Sequence, residues 1–172
     1  VVGVFTQPDK PKGRGYTLTP PPVKVFAEEN GIPVFQPKSM RDGEALEILK
    51  RLNPVLNVVT AYGKILPPEI LYLPKFCSIN IHASLLPKYR GAAPIQWCIL
   101  NGEKETGVTS MLMNEGLDTG DMLISEKLPI DENMTAGELH DKLSLLGADV
   151  LSKTIRALLD DSLKPIKQND DE

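Results

Sequence analysis

Apolar positions along the chain change period repeatedly, and the changes divide it into alternating strands and helices. Residues 1–5, VVGVF, form a continuous apolar run, the pattern of a strand covered on both faces. Residues 23–30 read as a short helix stopped by Gly31, and residues 33–37 as a brief strand. Between 42 and 52, Ala45, Leu46, Ile48, Leu49 and Leu52 recur at helical spacing. Strands follow at 55–60 and 76–81, with the AYGKILPP loop after the first of them, and residues 92–100 read as a helix ending near Asn101 and Gly102. Residues 107–113 and 121–128 read as strands joined by NEGLDTG, a hairpin or tight return. Thr135 and Glu138 have the spacing of a capping box at the start of a long helix carrying Leu139, Leu143, Leu146 and Val150, with a bend expected at Gly147. This alternation predicts an α/β domain with a mostly parallel sheet flanked by helices.

One long stretch escapes the pattern. Residues 6–22, TQPDKPKGRGYTLTPPP, hold five prolines and two glycines, which predicts no regular structure there. Lys10, Lys12 and Arg14 crowd this segment, and charge alone leaves open a phosphate-contacting loop or a merely basic mobile one. Its Gly13-Arg14-Gly15 resembles half of a dinucleotide fingerprint, but no third glycine follows and no tight strand-to-helix turn surrounds it, so that reading is weak.

Composition narrows the class. The 172 residues suit a single domain with a real core, 41% are apolar, and no apolar run approaches the ~18 residues of a membrane span. A net charge of −4 speaks against a generic nucleic-acid binder, and Asp170, Asp171 and Glu172 read as a solvated acidic end. Cys77 and Cys98 lack metal-ligand spacing and read as small buried hydrophobes, so a reducing, cytoplasmic setting without a metal is the expectation. The opening VVGVF suggests a start inside a strand, with an upstream piece missing.

The chemistry concentrates in residues 79–91, INIHASLLPKYRG. Asn80 and His82 alternate with Ile79 and Ile81, so both polar side chains stand on one face where the strand ends. That end of an open α/β sheet is where ligands bind, and two uncharged polar groups are costly to bury side by side without purpose. His140, on the long helix without a partner at ligand spacing, reads as a surface or half-buried residue. A carboxylate would complete a set with Asn80 and His82. Asp118, in the glycine-flanked loop at 113–121, is the first candidate, and Glu115 and Asp121 compete with it. An amide, an imidazole and a carboxylate can transfer a carbonyl group to an amine. The amide donates to the carbonyl oxygen as negative charge develops, the imidazole moves a proton, and the carboxylate supports the imidazolium. No activated Ser or Cys nucleophile is visible.

The run NIHASLLPKYRGAAPIQW, followed by ETGVTSMLMNEGLDTGDML, closely resembles the folate-dependent formyltransferases. The resemblance spans residues 1–165, which it implies are a formyltransferase catalytic domain of Rossmann-like fold, leaving 166–172 as an acidic tail. It places Asn80, His82 and Asp118 on the family's catalytic trio, and matches Ser84, Leu85, Leu86, Pro87 and Gly91 to its SLLPxxxG signature. The implied co-substrate is 10-formyltetrahydrofolate, with no metal. Its pterin is expected beside Tyr62, Gly63, Ile65 and Leu66, with the segment from Ser84 to Pro87 lining the same cleft. Residues 5–24 resemble the insertion loop of the branch that formylates methionyl-initiator tRNA, which gives Arg14 a tRNA contact and Lys12 a helper's role. The alternatives are a small amine acceptor such as an amino-sugar nucleotide, or an inactive folate-binding fragment. The family also carries a strand, loop and helix ahead of the equivalent of Val1 and a C-terminal β-barrel, both implied to be absent here.

Overall fold

The computed structural model describes residues 1–12 and 16–169, which divide into two compact units. The first comprises Val1–Val55 and Tyr62–Lys75, the second Leu56–Ala61 and Phe76–Glu172.

In the first unit, β1 (Val4–Phe5) runs parallel to β4 (Val34–Phe35), with the Phe5 and Phe35 rings in contact. The expected five-residue covered strand is shorter than its apolar run: the ladder starts only at Val4, while Val1 and Val2 are exposed. The proline-rich stretch is not wholly irregular either. Within it, β2 (Lys10–Lys12) and β3 (Thr17–Thr19) pair antiparallel, Pro11 standing opposite Leu18. A two-stranded ribbon has an outer edge on each strand, so a residue without an N–H can be accommodated there. The base of this hairpin is braced by Lys24, whose Nζ donates to both Asp9 carboxylate oxygens at 3.0 and 2.8 Å and to Gln36 Oε1 at 2.9 Å. The Lys24 bonds, and a further one donated by Gln36 Nε2 to Asp9 Oδ1 at 2.7 Å, hold the Asp9 carboxyl below its ordinary value. Helix α1 (Pro22–Glu29) starts with a proline at its first position, where the missing N–H costs nothing. Helix α2 (Glu44–Leu52) has acidic residues in its first turn and basic ones in its last, complementing its dipole. Helix α3 (Pro68–Leu71) was not expected: its two leading prolines read as a loop, yet Pro68 suits a first helical position, and the turn buries Ile70 and Leu71.

The second unit is a four-stranded sheet in the order β5 (Asn57–Val59), β6 (Ser78–His82), β7 (Glu105–Leu112), β8 (Met122–Pro129). The β5–β6 pair is parallel, and β7 and β8 extend the sheet antiparallel, the expected return between 113 and 121 joining them. Helices α4 (Pro94–Leu100) and α5 (Ala136–Leu159) supply Cys98, Leu139, Leu143 and Val150 to a core with Val108 and Ile81 of the sheet. Burial raises the Cys98 thiol, which keeps it protonated and fits the reading of a small core hydrophobe. The Thr135–Glu138 capping box forms as expected. At Gly147, where a bend is expected, the hydrogen-bonded helix α5 runs on unbroken beside β6, an added Cβ lying 3.4 Å from Ile81 Cγ2. Past the helix, Ile166 and Met122 exchange two backbone hydrogen bonds of 2.8 Å.

Candidate active site

Strand alternation divides β6 between two environments. Ile81 faces α5 and the core, while Asn80 and His82 face the other side, His82 being the last residue of the strand and 6% exposed. Opposite His82 across the ladder lies Thr109, and opposite Asn80 lies Met111. Thr109 Oγ1 donates to the Ser84 carbonyl at 2.8 Å and accepts from the Leu86 N–H at 3.3 Å, so the neighbouring strand fixes the first turn after β6. The loop then folds back until the Tyr89 carbonyl lies 2.9 Å from His82 Nε2. A carbonyl only accepts, so Nε2 is the nitrogen that carries hydrogen here, and Nδ1 is left facing the next loop.

That loop, between β7 and β8, presents Asp118. Asn114 Oδ1 organises it by accepting from the Gly116 N–H and from Thr119 Oγ1, both at 3.0 Å. Asp118 adopts a left-handed backbone, φ +52°, which is uncommon for a residue with a Cβ. Its Oδ1 accepts from Asn80 Nδ2 at 3.2 Å, and its Oδ2 accepts from the Gly91 N–H at 2.9 Å and lies 3.6 Å from His82 Nδ1. Of the three carboxylates left open by spacing, Asp118 is the one the fold brings beside Asn80 and His82, while Glu115 is exposed and Asp121 gives its backbone carbonyl to the Leu112 N–H. Gly91 is required twice over, since its φ of +83° aims the N–H at Asp118 and an added Cβ would meet Leu117 Cδ2 at 3.1 Å.

The remaining expected residues fall into place separately. Ser84 is buried with its hydroxyl donating to the Lys88 carbonyl at 2.6 Å, Leu86 is buried, and Leu85 and Pro87 are half-buried. Tyr62, Gly63, Ile65 and Leu66 belong to the first unit. There the Tyr62 carbonyl accepts from Gln7 Nε2 at 2.7 Å and burial raises the Tyr62 phenol. Gly63 has φ +71°, Ile65 is exposed and Leu66 is buried. Lys12 ends β2, and Arg14 lies outside the described residues, as do Gly13, Gly15 and the acidic end at 170–172. His140 is exposed, 3.2 Å from Asp141 Oδ1. Among the described residues no group of three or more His, Cys, Asp or Glu side chains is placed to hold a metal ion. No helix of the described residues is long and apolar enough to cross a membrane.

Several contributors escaped the sequence reading. Thr109 sits in a buried strand whose pairing partner cannot be read from the strand alone. The Tyr89 carbonyl is backbone and carries no residue signal. Gln168, buried at 6% exposure, lies far along the chain from everything it touches.

Known proteins resemble this chain along its length. The family profile described as formyl transferase matches residues 1–155. The chain belongs to the formyl transferase family. Formyl transferases of known structure share its Rossmann-like fold: a phosphoribosylglycinamide formyltransferase from Anaplasma phagocytophilum superposes with a TM-score of 0.79 at 23% identity, covering 100% of this chain and 83% of that one. An N-formyltransferase from Helicobacter canadensis, in complex with folinic acid and dTDP-3-aminofucose, aligns with a TM-score of 0.66 at 29% identity over 85% of this chain and 50% of its own. In sequence, the methionyl-tRNA formyltransferase of Clostridioides difficile (strain 630) is 56% identical over 172 residues, all of this chain and 56% of the relative. The chain thus spans little more than half the length of that relative.

Proposed function

We propose that residues 1–165 form a catalytic domain that transfers a formyl group from 10-formyltetrahydrofolate to the α-amino group of methionyl-initiator tRNA, in the cytoplasm. The observation that carries this reading is the convergence on one carboxylate: Asp118 accepts from Asn80 and Gly91 and faces His82 Nδ1. This donor set fits a formyl carbonyl and an attacking amine. One Asn80 Nδ2 hydrogen is held by Asp118, which aims the amide and leaves its second hydrogen for the formyl oxygen as negative charge develops there. With Nε2 held at the Tyr89 carbonyl, His82 Nδ1 takes the proton released by the attacking amine and returns it to the departing nitrogen. Asp118 Oδ2, 3.6 Å away, faces the nitrogen that takes this proton. One carbon–nitrogen bond forms and one breaks, so no side chain becomes covalently attached. Leu85 and Pro87 supply apolar surface for the folate, while the buried Ser84 and Leu86 shape their loop; Tyr62, Gly63, Ile65 and Leu66 of the first unit are proposed as folate-binding residues on the family resemblance alone.

Two features support the acceptor. The relative at 56% identity is named for methionyl-tRNA, and the basic residues Lys10, Lys12 and Arg14 gather on one loop, as phosphate contact requires. The aminofucose-bound structure from Helicobacter canadensis favours a second reading, an amino-sugar nucleotide acceptor. Purified chain given 10-formyltetrahydrofolate should formylate methionyl-initiator tRNA in preference to dTDP-3-aminofucose, and a folded His82→Ala variant should lose turnover by about 10²–10⁴-fold. Full turnover in that variant would overturn the mechanism, and preference for the sugar nucleotide would replace the acceptor.

A further inference from the structure

We propose that Gln168 is a positioning residue for Asp118, a role that rests on the reading of Asn80, His82 and Asp118 as the reacting set. Gln168 Nε2 donates to the Asp118 carbonyl at 2.9 Å and to the Gly120 carbonyl at 2.7 Å, while its Oε1 accepts from Arg90 Nε at 2.8 Å. Arg90 can only donate and the two carbonyls can only accept, so chemistry fixes which way round the amide lies. The side chain is 6% exposed, and the Ile166–Met122 bridge two residues earlier holds its segment in register against β8.

The contacts bear on catalysis because of what they join. Asp118 is held in the left-handed region, and its carbonyl is one of the two that Gln168 captures. On the other side, Arg90 immediately precedes Gly91, whose N–H fixes Asp118 Oδ2. One amide therefore ties the loop after β6 to the loop after β7, gripping Asp118 by its backbone while Gly91 grips its carboxylate. Without the amide, the Asp118 and Gly120 carbonyls lose their donor and the carboxylate is free to leave Asn80 and His82. The inferred effect acts on turnover through Asp118 and involves no contact with substrate.

The test is a double-mutant cycle in the whole chain, with wild type, Asp118→Asn, Gln168→Leu and the double variant assayed with 10-formyltetrahydrofolate and methionyl-initiator tRNA. Exchange of the Gly91 amide proton is followed by NMR as a readout independent of turnover. Gln168→Leu is expected to lower kcat with KM unchanged and to speed Gly91 exchange roughly ten- to hundredfold, the fold-equivalent of one charge-assisted hydrogen bond. In the Asp118→Asn background the same substitution should change kcat less than about twofold, since the residue it positions is already disabled. Should Gln168→Leu not fold, Gln168→Glu keeps the Arg90 contact while removing both donors, with the same expectations. Loss of turnover in Asp118→Asn with kcat and Gly91 exchange unmoved in the Gln168 variants overturns this inference alone. Full turnover in Asp118→Asn overturns the reading of the site, and the inference with it. Equal losses from Gln168→Leu in both backgrounds also overturn it, leaving a structural side chain.

Discussion

Asn80 shows how much one side chain's surroundings add to its identity. An amide donor is useful at a carbonyl oxygen only if it is aimed before the reaction begins, because orienting it during the reaction would cost what the hydrogen bond returns. Here the aim comes from Asp118 Oδ1, 3.2 Å away. Asn80→Ala is therefore expected to lower kcat about 10²–10³-fold with little change in thermal stability, since Asn80 is only half-buried and lies outside the α5-side core. Steady-state kinetics beside a melting curve checks both halves of this expectation. The alternation of Asn80 and His82 with two isoleucines was legible from residues alone, because a period of two survives in any strand. That Asp118 rather than Glu115 or Asp121 completes the set was not legible from spacing, because three carboxylates within one short loop differ only in the backbone angles each adopts.

At the scale of elements, apolar periodicity located α2, the long helix α5 and the strands that matter to the site. It misjudged features whose cause lies in a neighbouring element. Gly147 carries the local signal of a bend, yet α5 runs through it unbroken, beside Ile81 of β6. The start of the same helix was read correctly because a capping box is wholly local. Glu138 accepts from the Thr135 N–H and from the Thr135 hydroxyl, and these bonds lower its pKa. A carboxylate depressed in the folded state adds stability above its unfolded pKa and loses it as pH falls through the folded one. The melting temperature should thus fall more steeply on acidification in wild type than in Glu138→Gln, whose amide oxygen remains an acceptor at every pH. Equal slopes would show that the box contributes nothing measurable.

For the chain as a whole, a net charge of −4 and the proposed tRNA acceptor are reconciled if the cations that meet phosphate are gathered in one place. Lys10, Lys12 and Arg14 are consecutive alternate residues of the segment that holds the β2–β3 hairpin, braced at its base by Asp9, Lys24 and Gln36. Arg14→Ala should raise KM for methionyl-initiator tRNA several-fold and flatten its salt dependence, with KM for 10-formyltetrahydrofolate unchanged. A rise shared by both substrates would assign Arg14 to stability or to folate instead. The polar pair ending β6, the capping box of α5 and the clustering of Lys10, Lys12 and Arg14 follow from the linear chain, because each depends on residues a few positions apart, whereas the β2–β3 hairpin and α3 emerge only in the fold. The place of Asp118 beside Asn80, Thr109 beneath the loop and Gln168 across it depend on folding, because each joins groups widely separated in sequence, and the Tyr89 carbonyl on His82, though near in sequence, is a backbone atom that no residue letter records.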